Sequence, residues 1–474
     1  MNRIGVTGWL VVSLTAAAVA RPPNVLFIAV DDLRPWLGCY QPGLAVSPNI
    51  DRLAAEGRRF SRHYVQIPTC GASRCSLMFG RYPGRFPADT GNDAIAKTAA
   101  NQPLPALPAL FREQGYRTVS VGKITHYPGG RTGKDWAAGP RELPGAWDEA
   151  LMPCGPWKTP EGAMHGYANG VTRRQAGKDR AKKPAVQAAD GDDLAFPDGW
   201  IAGEAAKQIG ELAAGETPFF LAVGFIKPHL PFAAPDAYFK QASVLSPPVP
   251  AATDKPAFPG TWHGSGEFRQ YGMNGGDPFA GSAEPYRKAY LACVRYTDAQ
   301  VGKLLAALDA SPAAANTVVV LWGDHGFLLG EHAIWGKHCL FEEALHSPLI
   351  IRVPRHRLPG VASEAVVETI DIYPTLAALA GIPLPDALDG DSLVPQIEDP
   401  SAPSDGLAAG LWRDHATLRT DSHRLIVARK GVAPAELYDH RVDPAESKNA
   451  AARQPEVERE LRQRLAGVLP AAKR

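Results

Sequence analysis

The chain has almost no net charge: 50 Lys and Arg face 49 Asp and Glu among 474 residues, leaving +1 at neutral pH. That balance supplies no global field to hold a nucleic acid. Beyond the first twenty residues no apolar run is long enough to span a bilayer, so no membrane span is expected in the mature chain. Cysteine is scarce, with six residues at 39, 70, 75, 154, 293 and 339. Their spacing suits neither a zinc site nor a dense disulfide framework, and mostly free, buried thiols are expected, although an exported chain can oxidise one or two pairs. No repeat recurs at a fixed period, which argues against a solenoid.

What is present is more specific. Gly (46) and Pro (44) are abundant together, implying many loops between regular elements. One basic residue, Arg3, precedes an apolar run from Ile4 to Val19 that ends in Ala18-Val19-Ala20. This is the pattern of a secretory signal cut after Ala20, and predicts a secreted or periplasmic protein. The remaining length fits one large α/β domain with a small appendage, divided here into a signal at 1–20, a main domain at 21–400 and a C-terminal subdomain at 401–474.

Short runs rich in Val, Ile, Leu and Phe predict strands over 24–30, 118–121, 218–225 and 317–322. Helical patterns over 48–57, 104–114, 200–212, 286–308 and 370–380 alternate with them. The alternation predicts an α/β fold with a large, mainly parallel mixed sheet covered by helices on both faces. After about residue 400 the texture changes: 401–405 reads as a linker, 416–428 and 435–438 as short strands, and 455–468 as a charged amphipathic helix. These form the expected α+β subdomain.

Each clear strand runs directly into polar residues: Asp31-Asp32, Gly122-Lys123 with His126, Lys227-Pro228-His229, and Gly323-Asp324-His325. Ligand crevices in open α/β sheets lie outside the carboxyl ends of the strands, so four distant segments should converge on one rim. Asp31, Asp32 and Asp324 bring carboxylates from two strand ends, as a hard divalent cation with oxygen ligands requires, and calcium is the first choice. Segment 127–198 has little periodicity and carries Arg173, Arg174, Lys178, Arg180, Lys182 and Lys183. A solvated basic loop is the ordinary reading, and contact with an anionic glycan the sharper one.

Cys70-Gly71-Ala72-Ser73-Arg74, continued to Gly80-Arg81, resembles the signature of the type I sulfatases, in which the cysteine is oxidised to formylglycine. Phe79 departs from it, standing where that family usually has Thr. Val30-Asp31-Asp32-Leu33-Arg34-Pro35, Ser47-Pro48-Asn49-Ile50-Asp51, Lys227-Pro228-His229, Asp324-His325-Gly326, Gly330-Glu331-His332 and Lys337 extend the resemblance. They are most similar to the iduronate-2-sulfatase-like group of the alkaline-phosphatase-like superfamily. Glu436-Leu437-Tyr438-Asp439 matches that family's C-terminal habit, and the likeness is weakest over 127–198 and 247–281, the expected specificity loops.

The resemblance implies a metal set of Asp31, Asp32, Asp324, His325 and the modified Cys70, binding one Ca2+ per chain. It makes Cys70 the precursor of a hydrated formylglycine nucleophile, held by Arg74 and Lys123. His126 becomes the base that releases sulfate, while His229 and Lys337 grip the sulfate, His229 being the acid for the leaving alcohol. Lys227, His332 and His346 are further positions for support or substrate contact. The implied partners are a sulfated saccharide and a formylglycine-generating enzyme. Two rivals stand beside this reading: a phosphonate or phosphate monoester hydrolase on the same fold, and a sulfated-glycan-binding protein with unmodified Cys70.

Overall fold

The computed structural model describes residues 21–84, 90–100, 104–133, 135–136, 138–139, 141–175, 183–260, 263–430 and 433–469. The expected leader and Lys178, Arg180 and Lys182 of the basic run lie outside the described residues.

Strands β1 (Asn24–Val30), β2 (Arg58–Tyr64), β3 (Arg117–Gly122), β4 (Glu149–Leu151), β5 (Phe219–Phe225), β6 (Thr317–Gly323), β7 (Leu349–Arg352) and β8 (Ser363–Glu368) form one sheet. Their order is β8-β2-β7-β6-β1-β5-β3-β4, and only β7 runs against its neighbours. Side chains alternate across a strand. In β1, Leu26, Ile28 and Val30 therefore join one core with the helices Pro197–Ala213 and Glu284–Asp309. Val25, Phe27 and Ala29 join the other, with Cys70–Phe79, Leu107–Glu113 and Ile372–Leu379. Burial on both faces is why these strands read as nearly unbroken apolar runs.

The register sets the ends level. Val30 lies opposite Phe225 on one side and Gly323 on the other, so the residues after β1, β5 and β6 leave the sheet at one height. The Ser47-Pro48-Asn49-Ile50-Asp51 motif serves a structural purpose nearby. Ser47 makes no side-chain cap to its own helix; Asp298, on Glu284–Asp309, accepts the Asn49 and Ile50 N–H groups at 3.0 and 2.8 Å. This ties the helix Pro48–Glu56 to its neighbour and satisfies two donors that a helix start leaves open.

A second, antiparallel sheet contains β9 (Leu407–Trp412), β10 (His415–Thr420), β11 (His423–Ala428) and β12 (Glu436–Asp439). The single strand expected over 416–428 is two strands broken by a turn at Asp421-Ser422. The helix Pro455–Val468 covers the sheet with Leu461 and Leu465.

Arg424 of β11 joins the two sheets' surroundings. Its guanidinium, buried among strands, bonds Glu446 and also Glu342 of the helix Glu342–Leu345, which in turn accepts Arg419 Nε at 3.1 Å. Burial opposes ionisation of both carboxyls, but Arg419 and Arg424 hold Glu342 well below its ordinary value, and Arg424 with His440 brings Glu446 from 4.5 to about 2. Each carboxyl is more acidic in the fold than in the unfolded chain. Their contribution is thus complete above about pH 4.5 and is lost as pH falls toward 2.

Replacing Arg424 by Leu should leave Glu446 without its arginine and Glu342 with Arg419 alone, and cost about 3–5 kcal/mol. Urea unfolding at neutral pH measures this; an unchanged midpoint would remove Arg424 from the role of anchor.

Candidate active site

Two aspartates open the site. Asp31 and Asp32 follow β1, and Asp32 takes a left-handed conformation (φ 58°) that Asp tolerates better than most residues. That turn points the Asp32 N–H at Asp324 Oδ1, 3.0 Å away at the end of β6. Lys123 follows β3, where Gly224 allows a backbone approach so close that a Cβ would stand 1.9 Å from the Lys123 oxygen. Its ammonium bonds Asp31 Oδ2.

The helix Cys70–Phe79 runs in from one face, with Thr69 as its N-cap and every residue buried. Gly71 packs so tightly against Asn92 that a Cβ would lie 2.3 Å from the Asn92 oxygen, and its N–H is taken by Asn92 Oδ1 at 3.2 Å. One turn further on, Arg74 grips Asp324 Oδ2 through Nε and a terminal nitrogen at 3.0 and 2.9 Å and lies 3.6 Å from Asp31 Oδ1. Cys70 Sγ faces His325 Nε2 at 3.3 Å. His325 Nδ1 lies 2.9 Å from the Gly326 oxygen, which directs its proton there and turns the Nε2 lone pair toward Cys70, Asp32 (3.5 Å) and Asp324 (3.7 Å).

Asp31, Asp32, Cys70 and His325 each offer one ligand atom within 4.8 Å of the others. Asp324 sits beside them with Oδ2 occupied by Arg74. Asp31 Oδ1 and Asp32 Oδ2 are buried and accept no hydrogen bond, a costly state for carboxylate oxygens unless something positive meets them. The titration behaviour agrees with crowded negative charge. Burial opposes ionisation of Asp31, but Lys123, His229 and Arg74 hold it well below the usual carboxylate range. Burial, aided by Asp31, pushes Asp324 up to about 7, and burial with Asp31, Glu267 and Asp324 drives Asp32 well up against Lys337. The donor set and its two open oxygens fit a hard divalent cation.

Opposite the carboxylates lies a cavity of about 310 Å³ lined by Cys70, His126, His229, Lys337, Asn92 and His165, among others. Lys337 Nζ reaches Asp32 Oδ1 at 2.7 Å and Glu267 Oε1 at 3.1 Å. His229 Nδ1 is 2.6 Å from the Leu230 oxygen, leaving Nε2 to face Glu267 Oε1 at 3.5 Å. Asp198 orders this turn by accepting the Ile226 and Lys227 N–H groups at 2.9 and 2.8 Å. His126 stands edge-on to Tyr127 and near Trp136, with centroids 4.7 and 5.6 Å apart. Burial, then Lys123 for His126 and Lys337 for His229, lowers both imidazoles well below 6.5.

All ten positions named from the sequence as catalytic or metal-binding therefore converge here. The three supporting candidates stand outside the cavity lining: Lys227 Nζ turns inward to the His229 and Pro231 oxygens at 3.0 and 2.7 Å. His332 stacks on Phe341 at 3.9 Å, and His346 Nε2 bonds the Ser61 oxygen, so neither lines the cavity. Sequence reasoning missed Glu267, Asn92, His165 and Trp136. Glu267, His165 and Trp136 come from the aperiodic stretches 127–198 and 247–281, where no pattern marks one polar or aromatic residue above another.

A family model described as Sulfatase matches residues 23–382, and one described as N-sulphoglucosamine sulphohydrolase, C-terminal, matches 330–470. Iduronate 2-sulfatase of Mus musculus is 33% identical over 398 residues, spanning 76% of this chain and 69% of its own length. A sulfatase of Formosa agariphila is 30% identical over 459 residues, spanning 90% and 83%. Among solved structures, the phosphonate monoester hydrolase of Agrobacterium radiobacter superposes with a TM-score of 0.73 at 23% identity, covering 94% of this chain and 95% of that one. A protein solved in complex with its substrate D-glucosamine-2-N,6-O-disulfate gives 0.71 at 21%, covering 94% and 97%. These two likenesses are of fold.

A divalent cation should raise the melting temperature of the metal-free chain, by the equivalent of about 2.7 kcal/mol at a hundredfold excess over Kd. Asp32→Asn should blunt the rise. A melting curve indifferent to calcium, magnesium and chelator alike would rule out a cation at these carboxylates.

Proposed function

This chain belongs to the sulfatase family of the alkaline-phosphatase-like superfamily, and from that membership we propose an exported, calcium-dependent enzyme that removes sulfate from a sulfated saccharide through a formylglycine made from Cys70. The observation that carries the reading is the position of Cys70: it begins a buried helix, faces His325 and the carboxylates on one side, and lines the cavity on the other. Among the described residues no helix is long and apolar enough to cross a membrane.

Asp31, Asp32, Asp324 and His325, with position 70, would hold the calcium. When bound, the ion supplies fixed positive charge that makes an oxygen nucleophile acidic and draws sulfate oxygens toward it. Oxidised to formylglycine and hydrated, residue 70 would supply one hydroxyl as nucleophile toward sulfur and a second whose loss of a proton would return the aldehyde as sulfate leaves. Arg74 and Lys123, already fixed by Asp324 and Asp31, hold the developing negative charge without reorganising. His126 accepts the proton of the second hydroxyl, for which a neutral imidazole is the required form. Lys337 orients the sulfate. His229 keeps its Nδ1 proton on the Leu230 oxygen, so it serves the leaving alcohol only as the doubly protonated ring, through an Nε2 proton that Glu267 and the arriving sulfate favour against the burial that opposes it. The sum is ester plus water giving alcohol, sulfate and a proton. A formylglycine-generating enzyme is the implied partner in maturation.

Cys70→Ala should abolish turnover of a sulfate ester and leave the melting temperature within a few degrees, since little buried volume is lost. Persisting turnover would refute the nucleophile. Mass analysis of the peptide containing residue 70 separates an aldehyde from an unmodified thiol, and hence an enzyme from a glycan-binding protein. Comparative rates on aryl sulfate, phosphate and phosphonate esters test the alternative hydrolase, which shares the fold.

The leaving group tests His229. A nitrophenolate departs as a stable anion, whereas a sugar hydroxyl needs its proton in the transition state. His229→Ala should cost a sulfated saccharide on the order of 10² to 10⁴ in rate and a nitrophenyl sulfate far less. Equal losses on both substrates would transfer the acid role to Lys337.

A further inference from the structure

One cationic group of the cavity stands apart from the site's ion pairs. Lys123 is paired with Asp31, Arg74 with Asp324, and Lys337 with Asp32 and Glu267. Arg173 lines the same cavity, yet among the described residues no carboxylate lies within ion-pairing distance of it. Its sequence neighbour differs. Arg174 points away and pairs with Asp135 at 3.1 Å and Glu161 at 2.6 Å.

Arg173 is nevertheless held in place. A terminal nitrogen donates to Gln270 Oε1 at 2.8 Å, and the guanidinium lies 5.2 Å over the ring of Tyr271, which is buried and whose hydroxyl reaches the Leu230 oxygen beside His229 at 3.4 Å. A guanidinium braced by an amide and an aromatic face, with its other donors free, is arranged for a planar or tetrahedral oxyanion. The amide oxygen takes one N–H and leaves the rest of the fork to the cavity.

We propose that Arg173, braced by Gln270 and Tyr271, binds a second anionic substituent on the sugar that carries the scissile sulfate, either a carboxylate or a further sulfate. This rests on the sulfatase reading and narrows it to doubly anionic sugars. The scissile group meets Cys70, His229 and Lys337, while the second anion meets Arg173 on the wall formed by residues 266–271. A cavity of about 310 Å³ is small for a ligand site and suits one sugar unit at the reacting position.

The test compares kcat/KM of the matured enzyme on a sulfated uronic acid, a disulfated hexosamine, a monosulfated neutral hexose and nitrophenyl sulfate. The wild type should prefer at least one doubly anionic sugar over the neutral hexose by about 10-fold or more, and which one it prefers identifies the second anion. Arg173→Gln should lower kcat/KM on that sugar by about 10- to 100-fold, mostly through KM, the range expected for a lost charge-assisted hydrogen bond. The neutral hexose and nitrophenyl sulfate should change by less than about 2-fold, and Arg173→Lys should recover part of the loss. Uniform losses on all four, or a wild type without preference, would overturn the assignment of Arg173 while nitrophenyl sulfate turnover keeps the sulfatase reading intact. If Arg173→Gln fails to fold, the wild-type preference decides. A matured enzyme inactive on every sulfate ester would overturn the sulfatase reading and this inference with it.

Discussion

Compensation of charge where water does not reach is the constraint on which the site depends. Asp31, Asp32, Asp324, Arg74, Lys123 and Lys337 are each 3% exposed or less. An ion so placed costs several kcal/mol unless a partner of opposite sign stands at hydrogen-bond distance. The Lys123–Asp31 and Arg74–Asp324 pairs therefore do more than attract: displacing either cation leaves a bare carboxylate in the interior. That penalty holds four segments, distant in sequence, in one arrangement. Parallel strands in register supply the rigid ends from which such pairs can be set, and the residual negative charge around Asp32 is left for an added cation.

How much of this was legible before the structure depends on what each segment buries. β1, β5 and β6 are apolar on both faces, so composition located them to within a residue, and β3 to within one residue at either end. β2 was missed because Arg58-Arg59-Phe60-Ser61-Arg62-His63-Tyr64 does not look like a core strand. Its buried polar residues find partners elsewhere in the fold: Arg58 donates to the Ile397 oxygen at 2.9 Å, and His63 meets Ser347 and Thr369 at 3.0 Å each. Those partners lie hundreds of residues away, and no local pattern announces them. β7 and β8 are short and follow Pro- or Gly-rich loops, where the same difficulty applies.

The site divides along the same line. Residues attached directly to strand ends, such as Asp31, Lys123 and Asp324, could be read because the strand was legible and the topology fixed where its end must go. Cys70 and Arg74 could be read from their helical spacing within a signature. Glu267 could not, and Arg173 could be read only as one member of a basic run, because each reaches the cavity from an irregular segment whose path is set by contacts such as Tyr271 with Leu230. The buried carboxylates and Cys70 thus sit on regular structure, and the outer wall of the cavity sits on loops, which can vary in sequence without disturbing the sheet.

The burial of Cys70 has a consequence for the order of events in the life of the chain. The thiol begins a helix with no exposed residue, and Arg74 one turn later is locked to Asp324, a residue synthesised 250 positions afterwards. Once that contact forms, no modifying protein can grasp the segment around residue 70 without unfolding the sheet's central crossing. Chemistry on this side chain has its opening while the first hundred residues are out and β6 has yet to be made. Folding thereby sets a clock, because a chain that folds first encloses the Cys70 thiol as it is.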